Sequence, residues 1–227
     1  MLPIVDVTKF TLQDFPNRTA CIVWFGGCNF RCHYFHNPEF FIAEKCNFIS
    51  EDDVFNFLES RKGLLDGVVL SGGEVCLSDI YDFVKRIKKM GFLIKIDTNG
   101  TNVNLLKKLI NNSLVDFLAL DYKSPEYKFY DVTGVNMYQK FRESLDFLVN
   151  NNNISMEVRT TVHTKLLNEN DINIIIDDLE RINYRDVYAI QNFRNNKTLK
   201  DIGEQQKILD INLIKKSQKI KIEYRNF

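Results

Sequence analysis

Six times along this chain a short, nearly continuous run of apolar and β-branched residues gives way to a longer segment whose apolar positions recur every three to four residues. The runs cover residues 19–25, 67–71, 92–97, 116–121, 155–162 and 186–193. Apolar residues at successive positions bury both faces of a strand, which is the pattern of a parallel sheet covered by helices. The intervening segments supply the helices: Val54, Phe57 and Leu58; Ile80, Phe83, Val84 and Ile87; Leu105, Leu106, Leu109 and Ile110; Phe141, Leu145 and Leu148; Ile172, Ile175, Ile176 and Leu179. Ser50 with Asp53, and Ser78, read as N-terminal caps, and Gly91 as a left-handed helix stop. Strand–helix alternation of this kind predicts an α/β fold with right-handed crossovers, either an open sheet or a partial (β/α)6 barrel of parallel strands. No Pro/Gly/Ser linker divides the chain, so a single domain over residues 1–227 is expected, with a core at about 19–194 and a C-terminal extension at 195–227. Within that extension Ile208, Ile211 and Leu213 have helical spacing and speak of packing more than purpose.

Charge excludes some classes of function. Lys and Arg number 30 against 30 Asp and Glu, so the chain is no strongly basic nucleic-acid binder. The aromatic residues, 12% of the chain, are scattered over strands and helices and read as core packing instead of a base-stacking platform. No apolar stretch approaches the ~18 residues of a membrane span. Residues 1–20 carry Asp6, Lys9, Asp14 and Arg18 and lack a signal-peptide apolar run, so a cytoplasmic protein with neither a membrane nor a nucleic-acid partner is expected. Its five cysteines, Cys21, Cys28, Cys32, Cys46 and Cys76, then point to metal binding, catalysis or burial before disulfides.

Polar or special residues follow nearly every predicted strand: 26–32, 71–74, 97–100, 121–123, His163, and Gln191 to Arg194. In parallel α/β folds these carboxyl ends share one side, where ligands bind. The densest group is Gly26-Gly27-Cys28-Asn29-Phe30-Arg31-Cys32-His33-Tyr34-Phe35-His36-Asn37-Pro38. Two soft thiolates four residues apart can share a metal centre. The spacing differs from the Cys-x2-Cys of zinc ribbons, although Cys28, Cys32 and His36 could serve as three zinc ligands, and free thiols in a glycine-turned loop remain the plainer alternative.

This loop resembles the cluster loop of radical S-adenosylmethionine enzymes. The lead-in Phe10-Thr-Leu-Gln-Asp-Phe-Pro-Asn17 and the tetrapeptide Ser71-Gly72-Gly73-Glu74 are similar to those of the activating proteins of glycyl radical enzymes, and the likeness runs from about residue 3 to about residue 194. The resemblance implies a [4Fe–4S] cluster held by cysteines in a Cys-x3-Cys-x2-Cys pattern, with the fourth iron left for the amino and carboxylate groups of S-adenosylmethionine. It implies reductive opening of the S–C5′ bond to a 5′-deoxyadenosyl radical, which takes a hydrogen from a glycine Cα. The implied partner is a glycyl radical enzyme, the anaerobic ribonucleoside-triphosphate reductase foremost, with flavodoxin or ferredoxin as electron donor. Cys28 and Cys32 become cluster ligands, and Glu74 accepts from the methionine ammonium while Gly72 and Gly73 let the main chain approach the ligand. Asp97, Thr98, Asp121 and Lys123 hold the cofactor and in some relatives a monovalent cation, and Tyr34 occupies the place of the aromatic beside the adenine. No acid–base dyad is required.

At the position of the third cysteine this chain has Phe35, whose ring offers iron no lone pair. A substitute ligand from His33, His36 or Cys76 would approach along a different vector. The alternatives to an activase are a non-catalytic descendant that binds S-adenosylmethionine or the partner, and a small zinc module. Arg159, midway along a strand, calls for an anion: a methionine carboxylate, or a salt bridge to Asp121 or Glu157. His163 reads as structural. Gln191 and Arg194 are candidates for closing the site, Cys21 for the core, and Cys46 for a loop thiol.

Overall fold

Eight strands pair in strict chain order into one sheet: β1 (Ile4–Thr11), β2 (Ala20–Phe25), β3 (Gly67–Gly72), β4 (Leu93–Thr98), β5 (Phe117–Asp121), β6 (Ser155–Val162), β7 (Val187–Asn192) and β8 (Lys221–Arg225). The computed structural model describes residues 1–34, 48–151, 154–195 and 202–227; Phe35, His36 and Cys46 lie outside them. All six expected strands are present, and β2 through β8 run parallel. Two further strands extend the expected six. β1 is antiparallel to β2, and β8 adds a parallel edge beside β7. The chain therefore departs from helical spacing after residue 202. Ile211–Leu213 form one short 3-10 turn, and Ile208, Ile211 and Leu213 are exposed.

The helices α1 (Glu51–Glu59), α2 (Tyr81–Lys89), α3 (Val103–Asn111), α4 (Phe129–Thr133), α5 (Tyr138–Val149) and α6 (Glu169–Arg181) fill the crossovers. Their apolar stripes meet one face of the sheet, where Val68, Leu70, Ile94, Ile96, Leu118, Leu120 and Val158 are buried in the same cluster as Leu58, Ile87, Leu106, Leu145 and Ile175. Ser50 caps α1 as expected, accepting from the Asp53 amide at 3.1 Å. Ser78 does not cap α2, which starts from Ile80 without a side-chain cap; Asp79 instead accepts from the Tyr81 amide at 3.2 Å. Gly91, at φ +96°, ends that helix as expected.

The opposite face of the sheet carries no helix among the described residues, and it is divided. At the amino ends of the strands Phe15, from the β1–β2 connection, packs with Ala20, Ile22 and Val69 against Leu93 and Phe117. From mid-strand toward the carboxyl ends the same alternating positions turn charged: Lys95 and Asp97 on β4, Asp121 on β5, Glu157 and Arg159 on β6, Glu223 and Arg225 on β8. Gln13, Asp14 and Pro16 with β4, β6, β7 and the end of β8 line a common groove of about 730 Å³, so the sheet curls into a partial barrel whose inner face is apolar at one end and ionic at the other.

Candidate functional site

At the carboxyl ends of β2 to β6 the strand tips enclose a recess of about 80 Å³. Cys28, Phe30 and Cys32 form one wall, Ser71 to Glu74 the next, and Asp97, Thr98 and Asn99, then Asp121, Lys123 and Arg159, complete it. Ten of the eleven residues given a cluster or cofactor role from the sequence thus converge on one small space, and the eleventh, Tyr34, sits behind it, with Lys123 Nζ 6.0 Å from its ring centroid.

The glycines of the Ser-Gly-Gly-Glu turn have a packing role beside the ligand approach expected of them. The close approach they permit is to the cysteine loop's own backbone. A Cβ on Gly73 would stand 1.9 Å from the Gly27 carbonyl oxygen, and one on Gly72, at φ +123°, 2.3 Å from that of Phe25. Two hydrogen bonds fix the contact, Gly73 N–H to the Phe25 carbonyl and Glu74 N–H to the Gly27 carbonyl, both at 2.8 Å. The turn and the cysteine loop are therefore held together as one unit. Gly73→Ala should push them apart, at a cost of about 1–3 kcal/mol for an overpacked site, and the check is a lower midpoint of thermal unfolding together with faster labelling of Cys28 and Cys32 by a thiol reagent.

Glu74 is buried. Its Oε1 accepts from Thr98 Oγ1 at 2.7 Å and from the Cys76 amide at 3.0 Å, and its Oε2 from the Asn99 amide at 2.7 Å. Burial raises its pKa against the opposing pull of these three donors. A carboxylate has about four lone-pair sites, so one remains for a ligand cation. The neighbouring Asn99 side chain donates to Asn29 at 2.8 Å, and Asn29 donates to Thr101 at 2.8 Å, tying the cysteine loop to the end of β4.

Next to this lies an ionic cluster. Asp97 accepts from Lys95 Nζ and Ser71 Oγ, each at 2.8 Å, and lies 3.5 Å from Arg159. Burial pushes its carboxyl up, but the Arg159 guanidinium and the Lys95 ammonium prevail and hold it at about 2. Asp121 is bonded to Lys123 at 2.9 Å and to Arg159 at 3.0 and 3.1 Å, and these cations likewise outweigh burial and lower its pKa. Each carboxylate already faces two cations of the protein. Arg159 has the structural partners weighed from the sequence, Asp121 closest and Glu157 at 3.9 Å.

The two thiols are half-buried and buried. Burial first, and the nearby Glu74 charge second, push Cys28 up to about 12; burial likewise raises Cys32. Without a metal both are protonated at neutral pH, so metal uptake here releases protons. Cys76, one of the substitute ligands weighed above, does not line the recess. It is fully buried among the helix-facing core residues beneath Glu74, and Cys21 is core as expected.

Gln191 and Arg194 do not close the recess; they line the wider groove beside it, which shares Arg159 with the recess. His163 is fully buried, its Nδ1 accepting from the Lys165 amide and its Nε2, which then carries the proton, 3.2 Å from the Gly203 carbonyl. Sequence reasoning missed Lys95 as well as the Asn29–Asn99–Thr101 link. Lys95 was signalled by its place two residues before Asp97 in an otherwise apolar strand, because charges at period two share a face. Nothing local signals the asparagine link, since its partners are some seventy residues apart.

A partial barrel of parallel strands with paired thiols and a buried carboxylate at its tips defines a class, and the comparisons agree. The sequence profile described as Radical SAM superfamily matches residues 22–179. A putative glycyl-radical enzyme activating enzyme of Methanocaldococcus jannaschii is 32% identical over 197 residues, 84% of this chain and 78% of that protein. The pyruvate formate-lyase-activating enzyme of Clostridium pasteurianum is 29% identical over 53% of this chain and 52% of its own. In fold, QueE from Escherichia coli matches at TM-score 0.53 and 18% identity over 84% of both chains, and anSMEcpe with bound AdoMet at 0.59 and 17% over 74% of this chain and 49% of that one. The chain belongs to the radical SAM superfamily. It is an enzyme of the oxidoreductase type, with glycyl-radical enzyme activating enzymes among its relatives.

The family as a class uses a [4Fe–4S] cluster and S-adenosylmethionine. For the sulfonium cofactor the residues fit: a buried carboxylate with a lone pair to spare for an ammonium, a guanidinium for a carboxylate, and the buried Tyr34 hydroxyl, which has no hydrogen-bond partner among the described residues. For a cluster held by three protein thiolates the described residues do not. Two thiols line the recess and position 35 is phenylalanine. Among the described residues no group of three His, Cys, Asp or Glu side chains comes together as a metal site.

Proposed function

We propose that this chain is an activating protein for a glycyl radical enzyme, foremost an anaerobic ribonucleoside-triphosphate reductase, and that it binds S-adenosylmethionine across the tips of β3 to β6. The convergence of Cys28, Cys32 and Glu74 in one recess carries the reading. Glu74 takes the methionine ammonium through its remaining lone pair, and Arg159 takes the methionine carboxylate while Asp97 and Asp121 hold the guanidinium in place. Thr98 and Asn99 fix the Glu74 rotamer, Lys123 stays paired with Asp121, and Tyr34 lies under the nucleoside side of the site. The groove of about 730 Å³ falls in the ~300–1,000 Å³ range of ligand pockets and opens beside Arg159, where a glycine-bearing segment of the partner has room to enter. Flavodoxin or ferredoxin is the matching electron donor.

Phe35 favours a second reading, a descendant that binds S-adenosylmethionine and its partner without generating a radical. Anaerobic reconstitution with iron and sulfide, read alongside a calorimetric titration with S-adenosylmethionine, separates the readings. About four irons per chain and an absorption band near ~400 nm, with the cofactor bound, support the activase; cofactor binding without iron supports the descendant. One zinc, no colour and no cofactor binding would return the site to the small zinc module and overturn both.

A further inference from the structure

The ion cluster of the recess does not end at Arg159. Glu157, two residues earlier on the same face of β6, is buried, with its side chain 5% exposed, and stands 3.9 Å from Arg159. Its main partner comes from the last strand. Arg225 on β8 reaches across Ala189 of β7 and forks onto both Glu157 oxygens, at 2.7 and 3.3 Å, and its Nη2 also meets Glu223 at 3.0 Å. Ala119 on β5 and Ala189 on β7, the neighbours of Glu157 and Arg159 in register, are small enough to let these side chains cross. Asp97, Asp121, Glu157, Arg159 and Arg225 thus form one chain of alternating charge from the recess to the sheet edge.

In this chain two arginines compete for three buried or half-buried carboxylates. A buried carboxylate that loses its cation is costly and recruits the nearest replacement. For Glu157 that replacement is Arg159. As long as Arg225 occupies Glu157, Arg159 is left turned toward Asp97 and Asp121, with its fork at the recess. Residues 221–225 lie beyond the stretch matched by the superfamily profile, so this control is added by the end of the chain.

We infer that Arg225 of the C-terminal strand is a positioning residue for the cofactor site, acting by occupying Glu157 so that Arg159 stays aimed into the recess. The effect on cofactor affinity rests on the proposed binding of S-adenosylmethionine; the effect on Arg159 does not. The experiment uses the full chain with Arg225→Met, which keeps the apolar stem and removes every donor, and with Arg225→Met combined with Glu157→Gln, which also removes the stranded carboxylate. The first readout is the Nε–Hε resonance of Arg159 in the ligand-free protein, followed by 15N NMR and assigned with Arg159→Lys. The second is the dissociation constant for S-adenosylmethionine. Arg225→Met is expected to shift the Arg159 resonance and weaken S-adenosylmethionine about tenfold, as for one lost charge-assisted hydrogen bond. The double variant is expected to return both toward the parent protein, a rescue that a purely structural role of Arg225 would not give. An Arg159 resonance unmoved by Arg225→Met, or left displaced in the double variant, overturns the inference. If the parent chain fails to bind S-adenosylmethionine, the proposed function falls while the resonance still decides the role of Arg225.

Discussion

The Phe35→Cys variant is expected to take up and keep markedly more iron than the parent chain, and to cleave S-adenosylmethionine under reducing conditions where the parent does so weakly or not at all. Cys28 and Cys32 already share the recess with Glu74, so the change supplies one donor to a site that is otherwise assembled. Even partners that only support a metal ligand are worth about 10–100-fold in affinity, and a missing ligand costs more. Iron retained after a chelator challenge should therefore rise by at least ~10-fold. The measurements are iron and sulfide per chain after anaerobic reconstitution, and 5′-deoxyadenosine formed with dithionite. Equal iron loading and equal cleavage by the two proteins would show that position 35 is not where this chain departs from its relatives.

Glu74→Ala tests the other half of the site. It strands the Thr98 hydroxyl and the Asn99 and Cys76 amides in the interior, each worth roughly 1–3 kcal/mol when left unpaired. A loss of about 3 kcal/mol or more corresponds to a fall of roughly 6–12 °C in the unfolding midpoint for a chain of this size. Glu74→Gln keeps the shape and part of the bonding but removes the charge. It should hold the midpoint within a few degrees while weakening S-adenosylmethionine by at least ~10-fold, since a charge-assisted bond is lost. Because burial raises the Glu74 pKa, ionising it costs folding free energy as the pH rises through that raised value. A ligand ammonium offsets this cost, so the stabilisation given by S-adenosylmethionine should grow with pH across the same window. Glu74→Gln binding the cofactor as tightly as the parent would remove Glu74 from the site.

Such effects are large because the recess has so little slack. Gly73 touches Gly27, Asn99 holds both Glu74 and Asn29, and Arg159 bridges two strand tips. A change at any one of them is carried into the cysteine loop or the cofactor side of the site.

Local chemistry was enough to make the architecture and most of the recess legible. Short, nearly continuous apolar runs that alternate with segments of helical period read as strands of a parallel sheet, and polar residues at their carboxyl ends must meet on one side once the strands are parallel. That reasoning reaches Cys28, Cys32, Glu74, Asp97 and Asp121 without coordinates, and Arg159, midway along its strand, is marked by the cost of burying a charge without an anion. It could not reach β8. Lys221, Glu223 and Arg225 alternate with Ile222 and Tyr224 as an edge strand does, but an edge strand buries few apolar residues and leaves a weak pattern. It also could not see that Ser78 leaves α2 uncapped, since a serine there is plausible in type and only the path of the backbone starts the helix from Ile80 without a side-chain cap. Period and residue type, which the order of amino acids carries directly, determined the sheet, the helices and the roster of reactive groups. Which carboxylate each arginine holds, what the glycines approach, and that Cys76 lies under the site and not in it were decided by the packing of residues far apart in the chain, because pairing and burial are set by neighbours that only folding supplies.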